Sequence, residues 1–243
     1  MKISRIIGGM LLACLAFAIV AGEALGEDLE GMIDPYEIVN VSSQVPGILV
    51  MVAERGDIVK KGQVVAQLRA GVENANVNLA RVQVEFSKRK LERNREMFLK
   101  KHISENEKDE FETEIAKGEA LLQDAVEKLE MRTIRSTIDG VVMKRELSVG
   151  EYVGEMPILV IAQIHPLNVE VVVPVRQLGS VRQGMSAEVR AESPVGGVYV
   201  GKVVIVDKVV DAASGTFGVR VELPNPSLNL PAGLRCRVRF LKK

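Results

Sequence analysis

The chain has no tryptophan, three tyrosines, six phenylalanines, two histidines and two cysteines among its 243 residues. With so little aromatic bulk, its 47% of hydrophobic residues must build any core from aliphatic side chains. Two histidines and two cysteines leave little for a metal cage or for a nucleophile–base pair, so catalysis is not expected and no cofactor is assigned. A charge excess is missing too. Lys and Arg number 32, as do Asp and Glu, which removes the basic surplus that general nucleic-acid binding requires. The composition is too hydrophobic for a disordered chain, and the length suits one or two domains.

The N-terminus carries a secretory pattern. Lys2 and Arg5 precede an apolar run over residues 6–21, and Ala24-Leu25-Gly26 forms a small-x-small site. Sixteen apolar residues are short for a bilayer span, which favours a cleaved signal over residues 1–26 rather than an uncleaved anchor. A lipidated Cys14 is the further alternative, opposed by the apolar run that continues past it. After cleavage Cys236 is the remaining thiol, which leaves no intrachain disulfide for an exported protein. Leu234, Cys236, Val238 and Phe240 alternate with arginines, so Cys236 is expected to point inward.

Two stretches resemble each other. Gly47-Ile48-Leu49-Val50 leads to Gly56-Asp57-Ile58-Val59, and Gly140-Val141-Val142-Met143 leads to Gly150-Glu151-Tyr152-Val153. Each reads as strand, tight turn, strand, with an acid after the turn glycine. Neither half could bury a core alone, so the two are expected to pair in one small β-sandwich.

Between them the pattern changes. Residues 72–132 contain no proline and are rich in Ala, Leu, Glu, Lys and Arg, as helices prefer. Val77, Val84, Leu91 and Phe98 recur every seven residues, and Phe111, Ile115, Gly118, Leu122, Ala125 and Leu129 step alternately by four and three. Ser104-Glu105-Asn106-Glu107 is a capping box that restarts the helix after a break at residues 101–104. The expectation is two antiparallel helices of about 40 Å each. Residues 72–101 hold eight basic and four acidic side chains, whereas residues 104–130 hold three basic and ten acidic ones. Opposite charge favours pairing of the two helices with each other.

Residues 166–243 read as short alternating strands punctuated by Gly184, Gly196-Gly197, Ser214-Gly215, Asn225-Pro226 and Pro231-Ala232-Gly233, as in a small β-barrel. The organisation expected is thus a signal over 1–26, β halves over 27–71 and 133–165, a hairpin over 72–132, and a barrel over 166–243. The fold class is mainly β with an α-helical hairpin. His102 and His165 fall in different elements, and the methionines are scattered, so neither set suggests a metal site.

This order resembles the periplasmic adaptors, or membrane fusion proteins, of tripartite efflux pumps. The likeness rests on Pro46-Gly47, the segment from Glu54 to Val59, and Lys61-Gly62-Gln63, with re-entry from Arg132 through Val142. In the barrel it rests on Gly201-Lys202-Val203, Asp211, Ser214-Gly215-Thr216 and Leu230-Pro231-Ala232-Gly233-Leu234. Ser136-Thr137 replaces the family's usual Ala-Pro. The resemblance implies a split biotinyl-lipoyl-like domain, a coiled-coil hairpin and a barrel, in a short form lacking the membrane-proximal domain. It implies a periplasmic location at the inner membrane, an inner-membrane transporter as partner (RND type favoured, ABC type possible), a trimeric outer-membrane channel, and a hexameric homo-oligomer. At the hairpin tip it assigns channel contact to Arg93, Met97 and Ser104, with Met97 standing where leucine is usual. A biotin or lipoyl carrier is the competing class. It would need its modified lysine where Arg69-Ala70-Gly71-Val72 stands.

Overall fold

A computed structural model describes residues 28–100 and 104–241. The signal pattern with Cys14, and the break residues including His102, lie outside the described residues. Among the described residues no helix is long and apolar enough to cross a membrane.

The chain runs β1 (Leu29–Val41), β2 (Gly47–Val52), β3 (Ile58–Val59), β4 (Val64–Leu68), α1 (Gly71–Leu99), α2 (Glu105–Glu130), β5 (Thr133–Arg135), β6 (Gly140–Arg145), β7 (Tyr152–Val153), β8 (Leu159–Pro174), β9 (Ser186–Ala191), β10 (Val198–Val206), β11 (Thr216–Leu223) and β12 (Leu234–Leu241). The fold is mainly β with one helical hairpin, as the patterning implies.

The two sequence repeats pair across the hairpin inserted between them. β2 pairs with β7, β3 with β6 and β4 with β5, each antiparallel and each joining one half to the other. Their hydrogen bonds are exchanged almost symmetrically. Gly56 N–H donates to the Val142 carbonyl at 2.9 Å, and its counterpart Gly150 N–H donates to Leu49 at 2.8 Å. Val142 N–H returns to Asp57 and Leu49 N–H to Glu151, both at 2.9 Å. The turn glycines adopt φ of +94° and +93°, a region costly for any residue with a Cβ. The acid that follows each one closes its own turn. Asp57 Oδ2 accepts from Glu54 N–H at 2.8 Å, and Glu151 Oε2 from Ser148 N–H at 2.7 Å. The Gly-acid pair therefore recurs because both residues are needed to make one turn. Where Ser136 replaces the family's alanine, its buried hydroxyl donates to the Ile138 carbonyl at 2.6 Å, so the substitution leaves no orphaned polar group.

The sandwich core gathers Leu49, Val52, Val59, Val65 and Leu68 from the first half with Ile134, Val142, Val153 and Ile158 from the second. A separate core fills the barrel. There β12, β9, β10, β11 and β8 pair in sequence, and β1 joins β12 to β8 and closes the ring at six strands. Closure leaves no free sheet edge.

β1 and β8 serve both bodies. Residues 31–35 of β1 pair with the barrel portion of β8, and residues 37–41 with its sandwich portion, with a bulge between Pro35 and Glu37. Leu29 and Ile33 sit in the barrel core while Val41 sits in the sandwich core. A segment that the sequence pattern assigns wholly to the first β half is thus divided between two cores. The reason is register: the bulge adds a residue, which re-aims the side chains beyond it.

Cys236 points into the barrel with Val238 and Phe240, as its alternation predicts, and is 1% exposed. Burial pushes its thiol up to about 11, so the reactive thiolate is suppressed at neutral pH.

Candidate partner-docking site

The hairpin is the part of the molecule that reaches away from both cores, so its construction comes first. α1 has 29 residues and α2 has 26, each about 40 Å long. Their seam uses the predicted positions. Val77, Val84 and Ser87 of α1 are buried with Gly118 and Ala125 of α2, while Leu91, Phe111, Ile115, Leu122 and Leu129 are half-buried. Gly118 is needed for closeness, because a Cβ there would lie 3.2 Å from Val84 Cγ2. A mid-helix glycine costs about 1 kcal/mol in propensity, which the closer packing offsets.

Charge crosses the seam in the direction expected from the helices' opposite signs. Lys88 pairs with Glu119 at 2.6 Å, and Lys90 with Glu114 at 3.1 Å. Ser87 Oγ also donates to Glu114 at 3.2 Å, and the Lys90 ammonium lies 4.9 Å from the Phe111 ring centroid. The Lys90 hydrogen bond holds the Glu114 carboxyl below the ordinary carboxylate value. A depressed carboxylate contributes stability above its unfolded pKa and loses it as pH falls through the folded one. Thermal melts followed by circular dichroism should therefore show the hairpin losing this contribution on acidification below the carboxylate range. Glu114→Gln should show a shallower dependence in the same window. An identical pH profile for the two proteins would contradict this.

At its foot the hairpin is braced by Arg132, the second residue after α2. Its guanidinium donates to Glu73 in the first turn of α1 at 2.6 Å and to the Pro46 carbonyl at 2.7 Å. Gly47 admits it, since a Cβ there would stand 2.7 Å from Arg132 Nη1. One side chain thus ties both helix ends to the sandwich. Sequence reading treats Arg132 only as the start of the re-entering strand. The signal available, an acid at an N-terminus and an arginine past a C-terminus 59 residues later, names no partner by itself.

At the other end stand the three residues that the family likeness marks. Arg93 and Met97 are one helical turn apart on α1 and both are exposed, Met97 by 47%. Arg93 has no ion pair among the described residues. Ser104 is exposed and forms the N-cap of α2. Its hydroxyl accepts from Glu107 N–H at 3.3 Å, and Glu107 Oε2 accepts from Ser104 N–H at 3.0 Å. The capping box read from the sequence is present, and Ser104 has this local task whatever else it touches. The arrangement places a cation, a thioether and a capped helix start at the tip.

His165 sits on β8, where its Nδ1 accepts from Asn225 N–H at 3.0 Å. Among the described residues no group of three or more His, Cys, Asp or Glu side chains is placed to hold a metal ion.

Comparison with known proteins identifies this architecture. Residues 37–163 match the CzcB-like barrel-sandwich hybrid domain, and residues 167–243 match the CusB-like β-barrel domain. An uncharacterized protein of Haemophilus influenzae is 21% identical over 213 residues, which are 86% of this chain. The chain spans 56% of that relative's length. Among solved structures, a MacA–MexA chimera carrying the Pseudomonas aeruginosa MexA α-hairpin superposes with a TM-score of 0.74 at 20% identity, over 88% of this chain and 80% of the other. The membrane fusion protein Spr0693 of Streptococcus pneumoniae gives 0.69 at 16% identity, over 89% and 99%. ZneB of Cupriavidus metallidurans gives 0.54 at 23% identity, over 89% and 98%. At these identities the superpositions speak for the fold, while the two domain matches together cover nearly all the described residues, and by them the chain belongs to the membrane fusion protein family of efflux-pump adaptors.

Proposed function

We propose that the chain is the periplasmic adaptor subunit of a tripartite efflux pump, linking an inner-membrane transporter to a trimeric outer-membrane channel. The observation that carries this is the braced hairpin, a stiff arm of about 40 Å whose exposed end bears Arg93, Met97 and Ser104. The work is geometric. The β bodies collect around the transporter as a homo-oligomer, a hexamer in this reading, and the arms meet the channel. The barrel matches a β-barrel domain of the RND class, which supports an RND transporter over an ABC exporter. The signal pattern at residues 1–26 supports export to the periplasm, at the inner membrane.

Export complementation in a strain deleted for the gene tests the docking role. Arg93→Glu, and separately Ser104→Trp, should abolish export while far-UV circular dichroism stays unchanged. Ser104→Asn retains the capping function and isolates the loss of a cap, worth about 1 kcal/mol, from the loss of a contact. Full export by both Arg93→Glu and Ser104→Trp would remove the docking assignment. Affinity capture of the transporter by the full chain would identify its class, and recovery of an ABC exporter alone would overturn the RND reading.

A further inference from the structure

The two ends of the barrel differ in what they carry. One end runs into the sandwich, through residues 37–41 of β1 and 159–163 of β8. At the opposite end β1 enters at Leu29, β8 leaves at Pro174, β10 leaves at Val206 and β12 finishes at Leu241. Two segments cover that end, residues 175–185 between β8 and β9 and residues 207–215 between β10 and β11. They are held in a fixed frame. Val175 N–H donates to the Gly215 carbonyl at 2.9 Å, Leu178 N–H to Val175 at 2.9 Å, and Gly215 N–H to Asp211 at 2.8 Å. Val181 is buried in the barrel core and Val210 packs against it.

The inward positions of these segments are therefore filled, yet their outward positions are aliphatic as well. Val175 is 45% exposed, Leu178 54% and Val209 81%. Exposed Arg176, Arg182 and Lys208 are interspersed with them, and Lys242 and Lys243 follow Leu241 in the sequence. The acids of the two segments are Asp207 and Asp211. Asp211 is committed to its own turn, where Oδ1 accepts from Ala213 N–H at 2.9 Å and Oδ2 from the Ser214 hydroxyl at 2.8 Å. Aliphatic side chains fixed on loops, with basic ones among them, suit an anionic bilayer surface. The apolar tips enter the acyl boundary and the cations stay at the phosphates.

The path of the chain points the same way. The apolar run of the signal pattern ends at Ala21, and six residues separate it from Asp28. Their reach is at most about 25 Å, so while that run lies in the bilayer the entry of β1 is held near the membrane.

We propose that this end of the barrel rests on the anionic phospholipid surface of the inner membrane. Val175, Leu178 and Val209 insert, and Arg182 and Lys208 lie at the headgroups. The setting rests on the adaptor reading. What is added is a lipid contact made by the barrel itself, whether or not residues 1–26 are retained.

The chain has no tryptophan, so a single introduced indole is a local reporter of this contact. In the full exported chain, Leu178→Trp and separately Val209→Trp should shift to the blue on phosphatidylglycerol vesicles and be quenched by bromine-labelled acyl chains. Val200→Trp, exposed on β10 nearer the sandwich, is the control and should show neither effect. Val209→Trp combined with Leu178→Asp should need about tenfold more lipid for the same quenching, because one inserted side chain is lost. Arg182→Glu with Lys208→Glu should weaken the preference for phosphatidylglycerol over phosphatidylcholine. Unquenched emission at both loop positions, or equal quenching at the control, would overturn the lipid contact. Export complementation by the unsubstituted chain separates the two readings. Export without quenching removes this contact and leaves the adaptor reading standing, and quenching without export does the reverse.

Discussion

Replacing Gly140 by alanine is expected to destabilise the sandwich by about 3 kcal/mol, the upper part of the range for overpacking a rigid site. Gly140 opens β6 and pairs with Val59 across the two repeats. A Cβ there would run into the Ala162 carbonyl oxygen, and would lie 2.9 Å from both the Ala162 carbonyl carbon and Ile161 Cγ2. Two of those three atoms are backbone of β8, which is pinned on its other side by β1. They cannot swing aside as a flexible side chain would. In a protein of this size the cost corresponds to a fall in Tm of about 10 °C, readable by scanning calorimetry. Gly154→Ala serves as the control. Its new Cβ would meet nothing nearer than Tyr152 Cε1 at 3.9 Å, and its Tm should stay within about 2 °C of the parent. Equal melting of the two variants would refute the assignment of close approach to Gly140.

Arg132→Ala is expected to loosen the hairpin at its foot by about 2 kcal/mol and to impair export more than its stability cost suggests. The ion pair with Glu73 is largely sheltered, with side chains 21% and 15% exposed. Removing the arginine leaves the Glu73 carboxylate and the Pro46 carbonyl without their donor, which costs more than the net value of the bonds. Arg132→Lys should rescue poorly, because one ammonium cannot fork to both acceptors. The pair can be isolated by a double-mutant cycle, in which Glu73→Ala with Arg132→Ala loses less than the two single changes combined. Hydrogen exchange should rise first in residues 71–76 and 127–132 while the barrel amides keep their protection. Protection unchanged at the hairpin foot would show that the brace carries no strain of the arm.

Much of this molecule is written in local pattern. The heptads of Val77, Val84 and Leu91 and of Gly118, Leu122 and Ala125 determine two helices and their contact sides. Ser104 and Glu107 determine where the second helix starts, through bonds that span only three residues. The Gly-acid turns at Gly56-Asp57 and Gly150-Glu151 are legible for the same reason. The strand alternation around Cys236 is enough to place its thiol inside. In each case the interaction that selects the structure is short in sequence, so the sequence displays it.

Tertiary structure alone decided the rest. That β1 crosses from one core to the other depends on pairings with β12 and β8 more than a hundred residues away, and on one bulge after Pro35. That Arg132 meets Glu73 depends on two long helices returning to the same place. The missing aromatics and the missing net charge keep their first meaning, a mainly aliphatic core and no overall basic surplus. Only in the folded hairpin do the cancelling charges become two faces, because the repetition of seven says which residues share a side but not what stands opposite them. Partner and height are set by closure of the chain, a long-range event whose entropy cost is met by the whole core and by no local motif.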